Sequence, residues 1–323
     1  MCSITNKQNK IRFIYINNDE IGQRIDNFIL SRFKGVPSSM IYRIIHKGEI
    51  RVNKGRVKPK YKLQIGDIIR IPPIKIYKKQ QISSLTIKKF DFLTNSILYE
   101  DDSILAINKP SGIAVHGGSG LNFGIIEGLR SIRESTQFLE LVHRLDKDTS
   151  GVLLIAKKRS VLRILHEQLR LNQIKKNYIA LVHGKWKNNN KLIKKPLLKN
   201  ILQCGKRVVT VSNVGKYSET SFKIKECFEN LTLIKATPST GRTHQIRVHT
   251  TYVGHPIVFD VRYGNKQLDK LLIYTKLTRL FLHANSLKFI HPKIGKKIKL
   301  YAPLSNELNT CLDILRKRKN TFI

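Results

Sequence analysis

The chain predicts an α+β architecture in two parts, and three observations carry that prediction. Two short helical stripes and a hairpin fall between Ile21 and Pro73. Beyond Phe92 many short apolar runs follow with few helical stripes, the pattern of a mixed, largely antiparallel sheet. Val152-Leu153-Leu154-Ile155-Ala156 is apolar throughout, as a strand buried on both faces must be. At 323 residues the chain is long enough for two cores. The expected division is a lead-in over 1–20, a small domain over 21–73, a linker over 74–90, a large domain over 91–312 and a basic tail over 313–323.

The lead-in is polar with one short strand around Ile11-Arg12-Phe13-Ile14-Tyr15-Ile16. Ile25, Phe28, Ile29 and Phe33 then recur at three- and four-residue spacing, giving one helical stripe that Gly35 and Pro37 break. Ser38 or Ser39 is placed to cap a second helix, with Ile41, Ile44 and Ile45 inward and Gly48 as its stop. Ile50 to Asn53 reads as a strand, Lys54-Gly55 as a turn, and Ile68 to Ile71 as the strand that closes a small sheet. Residues 74–90, rich in lysine, glutamine and serine, read as a linker. Ile97 to Tyr99 and Ile104 to Ile107 flank Glu100-Asp101-Asp102-Ser103 as a hairpin. Ser160 to Leu171 has helical spacing, whereas Tyr178 to Val182, Val208 to Val211, Ser221 to Ile224 and Leu231 to Ala236 read as strands. Arg316-Lys317-Arg318-Lys319 ends the chain as a frayed basic tail.

Sixty basic against 22 acidic side chains give a formal charge of +38, far beyond what solubility requires. Such an excess points to a polyanion, nucleic acid or an anionic membrane surface, although lysine enrichment from an A/T-biased genome accounts for part of it. The apolar runs are too short for a membrane span or a signal peptide, so no membrane partner is expected. Cys2, Cys204, Cys227 and Cys311 are scattered, which argues for a reducing cytosol and against disulfides or structural zinc. His244 and His249 lie five apart, not the four that share a helical face, so no metal site is expected.

The most specific string is His143-Arg144-Leu145-Asp146-Lys147-Asp148-Thr149-Ser150-Gly151, a polar loop feeding the buried strand. Such a loop holds side chains on rigid support. The bland reading is a solvated turn in which Asp148, Thr149 and Ser150 satisfy backbone donors; it is accepted for Asp148 and rejected for Asp146. Three further blocks follow a consistent order: Ile97 to Gly120, Lys176 to Gly184, and Gly241-Arg242-Thr243-His244-Gln245-Ile246-Arg247-Val248-His249 with Gly254 to Ile257. Taken together, these blocks resemble the RNA pseudouridine synthases that modify large-subunit ribosomal RNA, over residues 97 to about 303. Within that family, Gly22 to Arg70, His255 to Asp260, Phe281 to Ala284 and Ala302-Pro303 look most like the synthase C type, with the D type as the competing subtype. The two helices and hairpin resemble the alpha-L (S-four-type) RNA-binding module, whose outer face Arg24, Arg43, Lys47, Arg51, Lys54, Arg56 and Lys58 would line; the bland alternative is a solvated face.

The resemblance implies a pseudouridine synthase core, 23S ribosomal RNA or a large-subunit assembly intermediate as partner, and a cytoplasmic monomer. The reaction breaks the bond from ribose to the uracil ring nitrogen, rotates the base and rejoins it through ring carbon five. Nothing is added or oxidised, so no cofactor is required. One carboxylate is required, and Asp146 takes that place by resemblance. A carboxylate can bond the sugar, attack the ring or abstract a proton, and all three remain open here. Burial disfavours a charged carboxylate, so a cation is needed, and the resemblance gives that role to Arg247, with a phosphate contact as the alternative. Tyr178 would stack on the extruded uracil, the alternative being a core tyrosine with a satisfied hydroxyl. Arg144, two residues from Asp146, would fill the gap left by the base or bind phosphate. Arg242 is assigned to RNA backbone or to folding, and His143 to orientation or RNA contact. Gly112, Gly117 and Gly118 would permit tight turns near the RNA. The alternatives are a non-catalytic RNA-binding or assembly protein, a glycosidase acting on a free nucleoside, and a synthase acting on transfer RNA.

Overall fold

A computed structural model describes residues 11–33, 36–74, 90–117, 123–133, 138–187, 191–201 and 207–321. They form two compact units that divide after residue 86, the short stretch 158–160 aside. The linker expected over 74–90 lies almost wholly outside the described residues, as do Gly35 and Gly118.

The first unit contains β1 (Arg12–Tyr15), α1 (Ile25–Arg32), α2 (Ser38–His46), β2 (Arg51–Val52), β3 (Gly55–Arg56) and β4 (Ile68–Ile71). The four strands pair in the order β1-β4-β2-β3, so the strand expected in the lead-in is the edge of this sheet. Ile25, Phe28, Ile29, Ile41, Ile44 and Ile45 are all buried in one cluster with Ile69 and Ile71, which is what the two helical stripes required. Two details differ from the expectation. Pro37 precedes α2 in the N-cap place with no side-chain cap, and Ser38 is already helical. Proline's fixed φ and missing N–H suit a helix start, so no hydroxyl is needed to begin this one. The hairpin turn centres on Asn53 and Lys54, both at positive φ, one residue earlier than Lys54-Gly55. Asn53 holds that geometry with its own side chain, accepting from Ile68 N–H and donating to Asp67.

The second unit opens with α3 (Phe92–Asn95), β5 (Ile97–Glu100), β6 (Ile104–Lys109), α4 (Ile125–Ile132), β7 (Glu140–Leu141) and β8 (Ser150–Ala156). Next come α5 (Arg159–Arg170), β9 (Lys175–His183), β10 (Leu192–Lys194), β11 (Leu197–Ile201), β12 (Arg207–Val211), β13 (Glu219–Cys227) and β14 (Leu231–Pro238). The last elements are α6 (Gln245–Tyr252), α7 (Lys266–Lys270), β15 (Leu282–Ile290), β16 (Lys297–Tyr301) and α8 (Asn306–Thr321). A ten-stranded sheet runs β10-β13-β14-β9-β15-β8-β6-β5, with β16 on β15 and β7 on β8. Among the described residues only the β15–β8 pairing is parallel, so the sheet is mixed and largely antiparallel.

Every residue of β8 is buried. The period of two sends Leu153 and Ile155 into one apolar cluster and Val152 and Leu154 into another, one on each face. The continuous apolar run therefore marks a central strand. The expected frayed tail is instead the end of α8, where Leu308, Leu312 and Leu315 pack into the core and Arg316 pairs with Glu226. Three- and four-residue apolar spacing anchors this helix, and Arg316, Lys317 and Arg318 are exposed. No helix of the described residues is long and apolar enough to cross a membrane.

Candidate active site

Four segments far apart in sequence meet in one pocket, one of them β15 through Leu282. The loop before β8 contributes Arg144, Leu145, Asp146 and Thr149; β9 contributes Lys176 and Tyr178; the turn from β14 into α6 contributes Thr240 to Arg247. Register brings the last two together, since Tyr178 lies opposite Ala236 on β14.

The loop is held from below. Leu145 is buried in the cluster that contains Leu153 and Ile155, so the residue beside Asp146 is a packing anchor. Lys109, fully buried at the end of β6, donates from Nζ to the carbonyls of Pro110 (2.7 Å), Ile113 (2.9 Å) and Lys147 (3.0 Å). An ammonium has three N–H donors and each finds one carbonyl. Burial pulls its pKa down to about 7, against the carboxylates of Asp148 and Asp146. Gly112, at φ +84, turns the chain so that its N–H also reaches the Lys147 carbonyl. The glycine turn falls under the loop that carries Asp146. At the far end Ser150 contacts His283 Nδ1 at 2.9 Å, while His283 Nε2 reaches the Ala302 carbonyl at 3.0 Å. A carbonyl only accepts, so Nε2 carries the proton and the Ser150 hydroxyl donates to Nδ1.

Several expectations for this loop need correction. His143 accepts the Leu154 N–H on Nε2 at 3.2 Å, its Nδ1 is buried, and burial pushes its pKa down to about 3. The imidazole leans on β8 through that bond, the contact that an orienting residue would make. Ser150 spends its hydroxyl on His283 rather than on a backbone donor. Asp148 is exposed, and it is its carbonyl that accepts from Ser111 Oγ at 2.6 Å.

Asp146 is about one-fifth exposed, and its Oδ2 faces two nitrogen groups. Arg247 Nη1 lies 3.8 Å away and His244 Nε2 3.9 Å away. Arg247 is the expected counter-charge, but Asp146 is not its closest partner. Asp260 takes the guanidinium in two parallel hydrogen bonds of 2.7 Å each. Burial works against that charge, yet the bonds to Asp260 outweigh it and raise the arginine's pKa. Burial likewise works against the Asp260 carboxylate, and Arg247 outweighs it and lowers its pKa. Tyr178 packs against two apolar clusters, and burial, with the Asp146 charge, raises its phenol pKa, so it stays neutral. Arg144 is exposed at the pocket, as a residue that meets RNA must be. Arg242 is also exposed and donates Nε to the Tyr217 carbonyl at 3.0 Å.

Motif spacing alone gave no role to four residues here: Lys176, His244, Asp260 and Tyr263. Lys176 lies in the same strand as Tyr178, two positions before it, and its burial lowers its pKa. His244 sits at φ +53 before α6, a left-handed conformation uncommon outside glycine and asparagine. Such an outlier at a pocket is a signal only coordinates reveal.

The amino-terminal unit presents Arg43, Lys47, Arg51, Lys54, Arg56 and Lys58 as exposed side chains. Arg24, also part-exposed, pairs its guanidinium with the buried Asp26. A buried carboxylate needs a partner, and Arg24 is within its reach.

This geometry has close relatives. The chain is 59% identical over 308 residues to the ribosomal large subunit pseudouridine synthase C of Yersinia pestis, covering 95% of this chain and 96% of that one. It belongs to the RNA pseudouridylate synthase family. The family profile matches residues 103–252, and an S4 domain profile matches residues 23–69. The synthase C of Escherichia coli strain K12 is 56% identical over 312 residues, covering 96% of this chain and 98% of that one. Among solved structures, human RNA Pseudouridylate Synthase Domain Containing 4 aligns with a TM-score of 0.58 at 25% identity, over 71% of this chain and 96% of that one. The expected pairing of an S4-type module with a pseudouridine synthase domain is thus the architecture of the chain. As an RNA pseudouridine synthase it is an isomerase.

Proposed function

We propose that this synthase isomerises uridines of 23S ribosomal RNA in the cytoplasm, on the free RNA or a large-subunit assembly intermediate, with Asp146 as the catalytic carboxylate. The observation that carries the reading is the convergence of Asp146, Tyr178 and Arg247 from three separate segments on one pocket. The names of the synthase C relatives supply the RNA. A uracil inside a helix is out of reach of that pocket, so the base must leave the stack. Tyr178 offers a flat neutral ring for it, and Arg144 at the rim is placed for the vacated position or a nearby phosphate. Asp146, with the Arg247 guanidinium 3.8 Å away, supplies the oxygen that each of the three open routes requires. The exposed lysines and arginines of the S4 unit neutralise phosphates, a sequence-independent grip.

The test is Asp146→Asn, which keeps shape and removes the charge. Pseudouridine mapped across total RNA should be absent at this enzyme's sites when only the asparagine variant is supplied, while binding to ribosomal RNA survives. Substantial turnover by the variant would remove Asp146 from the chemistry. Normal modification of 23S RNA with altered transfer RNA would reassign the substrate.

A further inference from the structure

One turn on the carboxyl side of α6 holds both groups that face Asp146. Asp260 Oδ1 accepts the N–H groups of Arg262 (2.9 Å) and Tyr263 (3.0 Å), closing the turn, while the same carboxylate grips Arg247. Gly264 completes it, because a Cβ there would sit 2.4 Å from the Asp260 carbonyl. Tyr263, brought around by that turn, places its hydroxyl 2.7 Å from His244 Nδ1 and stacks its ring 5.1 Å from the Arg247 guanidinium.

The hydroxyl also accepts the Val209 N–H at 3.0 Å. A phenol has one proton, and the arrangement that uses every group has Tyr263 O–H donating to His244 Nδ1. His244 is then the neutral tautomer with its proton on Nε2, facing Asp146. Arg247 and His244 approach the same oxygen at 3.8 and 3.9 Å, beyond hydrogen-bond length. A carboxylate bonded tightly by both would be less basic and less nucleophilic. Held just off, the Asp146 oxygen is not tied up in a full hydrogen bond to either group.

We infer that the Asp260–Tyr263 turn is a positioning restraint which holds Arg247 and a neutral, Nε2-protonated His244 off the Asp146 carboxylate. The inference rests on the assignment of Asp146 as the catalytic carboxylate. Asp260 and Tyr263 act through the residues they hold. The groups that face His244 are Asp146 from the catalytic loop, Arg247 from α6, and Asp260, Arg262 and Tyr263 from the turn. Burial first, with the charges of Arg247 and Arg262, pushes its pKa down to about 4, against Asp146 and Asp260.

Histidine ¹⁵N spectra of the intact chain test the tautomer directly. His244, assigned by its loss in His244→Gln, should carry its proton on Nε2 at neutral pH; a proton on Nδ1 overturns the restraint. The second test is Tyr263→Phe, with folding checked by thermal unfolding. Without the hydroxyl, Nδ1 is free to take a proton, and an imidazolium beside Asp146 closes the gap. The expected result is a kcat lower by roughly ten- to a hundredfold with KM for RNA nearly unchanged. The acid limb of the kcat profile should move to higher pH, and combining the change with His244→Gln should remove that movement. If Asp146→Asn is inactive but Tyr263→Phe keeps the wild-type kcat and acid limb, the restraint is wrong and the site assignment stands. Turnover by Asp146→Asn instead removes the site assignment itself.

Discussion

Arg247 and Arg144 separate two kinds of cation. Arg247 is buried and bonded twice to a buried carboxylate, so Arg247→Ala strands Asp260 as well as Asp146. Removing one partner of a buried pair costs about 3–5 kcal/mol, so denaturant unfolding should show a loss of that order. Turnover should fall more than RNA affinity in whatever folded fraction remains. Arg144 is exposed, and Arg144→Ala should change stability by no more than about 0.5 kcal/mol. Its loss should appear in RNA affinity or base extrusion, read by fluorescence of a base analogue at the target. Equal losses of affinity in the two variants, with no extra loss of turnover for Arg247→Ala, would return Arg247 to the phosphate contacts. The chain suggested both arginines from motif position alone. That one carries a second carboxylate was not legible, because Asp260 lies 13 positions away.

Strand β8 does two jobs at the element scale: it builds both faces of the core and anchors the loop that carries Asp146. Gly151 is where these meet. It has φ +114, pairs with Ala284 of β15, and a Cβ there would lie 2.2 Å from the Ala284 carbonyl oxygen. Gly151→Ala should cost roughly 1–3 kcal/mol from backbone strain, and the steric overlap adds to it. Lower thermal stability should accompany a disproportionate loss of turnover, since the displaced backbone begins five residues after Asp146. A variant with the wild-type melting temperature and kcat would mean that the two strands can separate at no cost. The buried character of β8 was plain from five consecutive apolar residues, because a run without polar interruption has no solvent face. The register that presses Gly151 onto Ala284 depends on a parallel pairing across more than 130 positions, and local pattern carries no trace of it.

For the whole molecule, basic side chains serve both the pocket and the exposed surface of the first unit. None of the pocket residues belongs to the first unit. Deleting residues 1–80 should therefore weaken RNA binding and leave residual turnover at high RNA concentration. Every phosphate that the truncated chain no longer neutralises should flatten the slope of log affinity against log salt by about 0.7–0.9. Selection among uridines should degrade too, since a tethered second contact raises the effective concentration at particular sites. An unchanged affinity and salt slope would identify the lysines of the first unit as compositional drift. The excess of +38 was visible at once, but its partition between RNA and internal ion pairs was not. Arg24 shows why: in sequence it is one more cation, whereas in the fold its charge is bound to Asp26.

The two-unit α+β plan, the helical stripes of the first unit, the buried central strand and the candidate roles of Asp146, Tyr178 and Arg247 were all legible in the amino-acid order. The plan, the stripes and the strand follow from periodicity, where neighbours in the chain are also neighbours in space, whereas the candidate roles follow from the resemblance of short strings to a known family. Folding in three dimensions was needed for the rest: the bond between His143 and β8, the helical end at Arg316, and the Asp260–Tyr263 turn behind Arg247 and His244. Each depends on which distant surface a side chain meets, and burial, not residue type, sets whether a histidine stays neutral or an arginine is free to bind RNA.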